Sequence, residues 1–126
     1  MRYIFSPSDV EPINLPGREM RRIISEETVG TKSMSVGVIW VPPGEAVLPC
    51  HSHDADEALY IVSGEGQSWI DNQLDNFKAG DVVWFPKNCK HMIRNNGSEI
   101  LQAVHFFSPA RHPKEYTLYP EIKFED

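Results

Sequence analysis

Apolar and polar residues alternate over short runs along this chain, and nowhere do the apolar positions hold a sustained helical period. Stretches 33–41 (SMSVGVIWV), 57–63 (EALYIVS), 66–71 (GQSWID), 81–85 (DVVWF), 90–95 (KHMIRN) and 99–107 (EILQAVHFF) are rich in β-branched and aromatic residues. Each therefore predicts a strand. Turn formers separate them, among them Pro42-Pro43-Gly44, Gly64, Asp71-Asn72-Gln73, Gly80-Asp81 and Asn95-Asn96-Gly97-Ser98. Strands at this spacing predict an all-β sandwich or barrel. Residues 18–27 (REMRRIISEE) are compatible with a short helix or a strand.

Several strands are apolar at both parities, as in Tyr60 and Val62 against Leu59 and Ile61, so both faces of part of a sheet are expected to be covered. The flanks, with apolar residues from Tyr3 to Ile24 and from Tyr116 to Phe124, or a second subunit, would supply that cover. A homodimer is expected. Trp40, Tyr60, Trp69, Trp84, Phe85, Phe106 and Phe107 are expected in the core, with some lining a cavity, and Gln67, Trp69, Gln102 and Arg94 are candidate polar lining.

A chain of 126 residues fits one domain. Its formal charge of −6 argues against a nucleic-acid partner, since the phosphate backbone would be repelled. No window approaches the ~18 apolar residues of a membrane helix, so a soluble, cytoplasmic protein without a membrane partner is expected. Cys50 and Cys89 are too few for a disulfide framework and are read as free thiols.

The chemistry concentrates between Gly44 and Gly64. His51 and His53 are two residues apart, so on one strand their imidazoles share a face. Glu57, beyond the turn-prone Asp54-Ala55-Asp56, begins the next strand and can return to the same point, and His91 opens a later apolar strand. Cys50 would face away from His51, while Leu59, Ile61 and Ile93 would line the inside and Arg94 would point out. A set of imidazoles and one carboxylate suits a single divalent transition metal (Fe, Mn, Zn, Ni or Co) rather than Mg or Ca. His105 and His112 receive no role.

In this arrangement the sequence resembles the cupin superfamily. Gly44, His51, His53, Glu57 and Gly64 follow the order of its first motif, with one extra residue before His51, and Gly80, Pro86, Asn88, His91 and Asn95 follow the second. Asn88 stands where a glycine is usual, and Asn tolerates the left-handed conformation. The resemblance implies an all-β double-stranded β-helix, a jelly-roll cupin barrel, over about 33–108, with an N-terminal arm 1–32 and a tail 109–126 completing one cupin domain 1–126. It also implies that His51, His53, Glu57 and His91 are the metal ligands, that Gly64 and Gly80 make turns, and that Asn95 is structural. Four protein ligands leave coordination positions open, so a metal-dependent enzyme acting on a small organic molecule is expected, of isomerase, dioxygenase, lyase or cyclase type. The alternative is a non-catalytic barrel that binds the metal and a small ligand.

Overall fold

The computed structural model describes residues 1–125. Eleven strands run in chain order: β1 (Ile13–Leu15), β2 (Arg18–Ile24), β3 (Ser35–Val41), β4 (Ala46–Ser52), β5 (Asp56–Ser63), β6 (Glu65–Ile70), β7 (Gln73–Lys78), β8 (Val82–Phe85), β9 (His91–Arg94), β10 (Leu101–Ser108) and β11 (Thr117–Tyr119). They form two antiparallel sheets, one ordered β1-β2-β3-β10-β5-β8 and the other β11-β4-β9-β6-β7. Met20, Ile39, Leu59, Phe85 and Leu101 from the first sheet and Val47, Phe77 and Ile93 from the second share one apolar core. The result is a jelly-roll barrel: the strand spacing predicts a sandwich or barrel, and the resemblance implies the jelly roll. No helix among the described residues is long and apolar enough to cross a membrane.

The segment 18–27 uses both conformations that its sequence allows. Arg18 to Ile24 pair with β3 as a strand, and α1 (Glu26–Val29) follows, where the Ser25 hydroxyl accepts the Thr28 backbone N–H and caps the helix start. Strands β1 and β2 extend the first sheet beyond β3 and β11 extends the second beyond β4, while the C-terminal tail covers part of the second sheet's outer face, where Phe124 lies against Arg94. Strand β7 escapes the sequence reading because only Phe77 of its side chains is buried. What defines it is the hairpin with β6, whose turn residues Asp71 and Asn72 have φ of 44° and 73°.

The aromatic expectation is corrected on the first sheet. Phe85 and Phe107 are buried, but Tyr60, Trp84 and Phe106 stand on the outer face and are exposed, with Trp84 at 55%. Period-two alternation sends residues 58, 60 and 62 outward once Leu59 and Ile61 point in, and nothing among the described residues covers them. Trp40 and Trp69 are only half-buried, each between inward neighbours.

Two positions hold backbone shapes that their residues permit. Gly64 has φ of 87°, and a Cβ there would meet the Ile100 carbonyl oxygen at 2.9 Å. Asn88 has φ of 67°, the left-handed conformation for which Asn is the next best residue after Gly. Asn95 is structural: its side-chain amide donates to the carbonyls of Val41 at 2.8 Å and Glu99 at 2.7 Å, and its oxygen accepts from the Gly97 N–H at 2.9 Å.

Candidate metal centre

Strand β4 delivers His51, and His53 follows one residue past its end. A register shift in the β4–β9 pair between Val47 and His51 sets His51 directly opposite His91, the first residue of β9. Side chains facing each other across a pair lie close. The ring centroids of His51 and His91 are accordingly 4.4 Å apart, those of His51 and His53 5.0 Å and those of His53 and His91 5.5 Å. The three rings offer nitrogens that all lie within 4.8 Å of one another. Glu57, near the start of β5, brings Oε1 to 3.3 Å from His91 Nε2 and 3.9 Å from His53 Nε2. The three imidazoles of the predicted set therefore converge inside the barrel, and Glu57 lies beside two of them, His91 and His53.

Each imidazole is fixed from behind by its other nitrogen. Nδ1–H of His51 donates to the Pro49 carbonyl at 2.9 Å, that of His53 to the Glu115 carbonyl at 3.1 Å, and that of His91 to the Cys89 carbonyl at 3.1 Å. Such a bond selects the tautomer whose Nε2 carries the free lone pair, and it is the usual outer support of a metal-binding histidine. The inner atoms face one another: His91 Nε2 and Glu57 Oε1 are buried 3.3 Å apart as an ion pair, and neither makes a hydrogen bond of good geometry. Buried polar atoms are nearly always well satisfied, so two atoms held only by this contact fit a cation placed between them.

The electrostatics are those of a crowded, dry site. Burial, reinforced by the neighbouring His91 and His53, pushes the His51 pKa down to about 3, and burial also lowers that of His53. Burial opposes the charge on His91 as well, but its bonds to Cys89 and Glu57 prevail and raise it to about 10. For Glu57 burial acts upward and is outweighed by His91 and His53, which bring the carboxyl down to about 2. Without a metal, the charge at this centre is thus a His91 imidazolium facing a Glu57 carboxylate.

The cavity beside the cluster has a volume of about 40 Å³ and is walled by Leu59, Ile93, Phe85 and Phe107, among others. The inward positions of Leu59 and Ile93 match their alternation with Glu57 and His91. The expected polar lining does not. Gln67 and Trp69 alternate with buried Gly66 and Ser68, Gln102 lies between buried Leu101 and Ala103, and Arg94 donates to Gln67 at 2.9 Å and stacks over Phe124. All four belong to the outer side of their sheets. The polar wall comes instead from Arg18 on β2 and His105 on β10, while Pro113 closes the cavity from the tail. The Tyr116 ring, also from the tail, stacks on His53 with centroids 6.1 Å apart. Parity with Phe107 places His105 inside, but only pairing of β10 with β3 and β5 fixes which parity is inner.

Both cysteines are free and buried. Cys50 sits on the face of β4 away from His51, where burial raises its thiol to about 11, and the Cys89 sulfur lies 3.7 Å from the outer nitrogen of His91. Neither reaches the centre of the cluster. A larger surface groove of about 750 Å³, between the outer face of β4 and the C-terminal tail, gathers none of these imidazoles.

A two-sheet antiparallel barrel with three converging imidazoles defines the class of small β-barrel proteins with a candidate metal site. The model of the Cupin domain matches residues 37–107, and the chain belongs to the cupin family. It is 35% identical over 86 residues to an oxalate-binding protein of Thermotoga maritima, covering 67% of this chain and 69% of that one. It is 27% identical over 101 residues to the polyketide synthase protein CurC of Streptomyces cyaneus, covering 80% of this chain and 66% of the relative, just under two thirds of its length. Among solved structures, one described as a predicted oxalate decarboxylase from Thermotoga maritima superposes with a TM-score of 0.75 at 25% identity, covering 85% of this chain and 99% of that one.

Proposed function

We propose that this protein holds one divalent transition metal (Fe, Mn, Zn, Ni or Co) through His51, His53, Glu57 and His91 and uses it as an enzyme acting on a small organic molecule. The observation that carries the reading is the pairing of three backbone-tethered Nδ1 groups with buried inner atoms of His91 and Glu57 that make no hydrogen bond of good geometry. When bound, such a metal supplies Lewis-acid polarisation of a carbonyl or, if redox-active, oxygen chemistry. The side chains orient and enclose the ligand: apolar walls exclude water, and a neutral His105 borders the cavity, its pKa lowered to about 4 by burial.

Cavity size bears on the ligand. Pockets for drug-sized molecules occupy about 300–1,000 Å³, whereas this one has about 40 Å³. A compound of a few non-hydrogen atoms suits it, and a polyketide-sized ring system would require the barrel mouth to open. The similarity to an oxalate-binding protein points the same way. It also supports the second reading, a barrel that binds metal and small ligand without turnover. Elemental analysis of tag-free protein purified without added metal is expected to find about one equivalent of one of the five metals. A chain still empty after reconstitution with each of them would sink the metal reading altogether.

The proposal extends to a cytoplasmic, dimeric protein. Free buried thiols support a reducing compartment. A second copy is the occupant we assign to the outer face of β10-β5-β8, where residues 58, 60, 62, 82, 84, 104 and 106 form a continuous uncharged surface across adjacent strands. Val82 is 62% exposed there and Trp84 55%, and such a patch on an isolated monomer invites association. With no charge to recruit a different partner, the self-complementary contact is isologous. Sedimentation of the wild type is expected at twice the chain mass, and Trp84→Glu is expected to give monomers. Unchanged sedimentation of a folded Trp84→Glu would remove this face from the interface.

A further inference from the structure

Strand β2 turns three polar or flexible side chains inward by alternation: Arg18, Met20 and Arg22. Arg22 is neutralised by Glu27 of α1. Arg18 is not neutralised: its Nη1 donates to the Pro16 carbonyl at 2.9 Å, its Nε is buried without a partner, and no carboxylate among the described residues forms an ion pair with it. It lines the same cavity as the histidine cluster, close enough that its charge acts on Glu57, His53 and His105. His105 pairs across Gly37 with Arg22, so it shares the cavity with Arg18 through the reach of the arginine side chain and not through strand pairing. His105 is 1% exposed, and neither of its ring nitrogens has a hydrogen-bond partner. The space for that ring exists because residue 37, across the β3–β10 pair, is glycine, where a Cβ would overlap His105 Nε2.

An imidazole buried with both nitrogens unpartnered, and a guanidinium whose Nε is buried without a partner, are costly in one wall unless a ligand satisfies them. We propose that Arg18 and His105 form a carboxylate-binding subsite facing the metal cluster, so that the ligand is a small organic acid held by its carboxylate on this wall. The arginine fork matches a carboxylate in two parallel bonds, and one N–H of His105 adds a third donor. The charge balance agrees: a divalent ion together with Arg18 exceeds the single negative charge of Glu57, leaving a net positive cavity that favours an anion. The volume of about 40 Å³ limits that acid to a few non-hydrogen atoms.

This deepens the metal reading above, and the test separates the two. Glycolate and its neutral isostere glycolamide are titrated calorimetrically into metal-loaded wild type, Arg18→Gln, Arg18→Lys and His105→Gln, after metal content and thermal melts have been recorded for each. Glycolate affinity is expected to fall at least tenfold in Arg18→Gln and less in Arg18→Lys, with metal content unchanged and glycolamide weak throughout. His105→Gln is expected to weaken glycolate as well. Equal glycolate affinity in wild type and Arg18→Gln, or glycolate no tighter than glycolamide in wild type, overturns the subsite while leaving the metal in place. If Arg18→Gln does not fold, Arg18→Lys carries the comparison. If the wild type takes up no metal, the metal reading fails alone, and the same titrations on metal-free protein decide the subsite by whether glycolate binding depends on Arg18.

Discussion

A His53→Ala variant is expected to bind its metal about a hundredfold to a thousandfold more weakly than wild type while keeping a β-rich circular dichroism spectrum. Four-ligand structural zinc sites carry apparent binding energies of about 10–16 kcal/mol, so one ligand in four represents roughly 3 kcal/mol. Removing His53 takes away one of the three clustered imidazoles and leaves the Glu115 carbonyl, which accepts its Nδ1–H, without that donor. Glu57→Ala is expected to weaken binding comparably and also to leave the His91 imidazole without the carboxylate 3.3 Å away. His112→Ala is the control, because its Nδ1 accepts from the Lys114 N–H and it stands outside the cluster. Competition against a chromophoric chelator measures all three. Wild-type affinity in both His53→Ala and Glu57→Ala would refute the ligand assignment.

Stripping the metal is expected to lower the melting temperature by about 15 °C, and to do so in a pH-dependent way. A ligand at a thousand times its Kd stabilises the folded state by about 4 kcal/mol, and a domain of this size shifts by about 4 °C per kcal/mol. In the metal-free protein the cluster's own contribution peaks near pH 6.5. His91 has a folded pKa raised to about 10, so its contribution is complete below the unfolded histidine value and is lost as pH rises towards 10. His51 has its pKa lowered to about 3, so the folded state resists its protonation and stability declines as pH falls from 6.5 towards 3. Glu57, lowered to about 2, adds stability that is present above the unfolded carboxylate value and is lost as pH falls through 2. Metal entry must displace the His91 proton. Binding at pH 7 is therefore expected to release about one proton, readable by calorimetry in buffers of different ionisation enthalpy, and affinity is expected to rise with pH. Melts that coincide with and without metal, after verified removal, would mean that the site contributes nothing to folding.

How much of this was legible beforehand depends on the range of the interaction. The His51, His53 and Glu57 group spans seven residues, so alternation along one strand and a single turn suffice to bring it together. Gly64 and Asn88 occupy left-handed positions for reasons of local sterics, which residue type alone reveals. The inward direction of Leu59, Ile61 and Ile93 follows from parity with the neighbouring candidate ligands. Strand β7 leaves no apolar pattern to read because only Phe77 is buried, and the outward aromatics depart from expectation because composition records apolar character without saying which face a sheet leaves open.

Tertiary structure alone decided the rest. His91 stands opposite His51 because of a register shift within the β4–β9 pair, and no periodicity in either strand encodes that shift. Arg18 enters the cavity only because the N-terminal arm pairs with β3, and His105 only because β10 lies between β3 and β5. The same pairing leaves one face of the first sheet bare. Sequence thus determined the elements, the family and the local half of the site, since those depend on contacts a few residues apart. The polar wall opposite the metal cluster and the open apolar face depend on strand order and register, which are set by the simultaneous burial of many distant side chains.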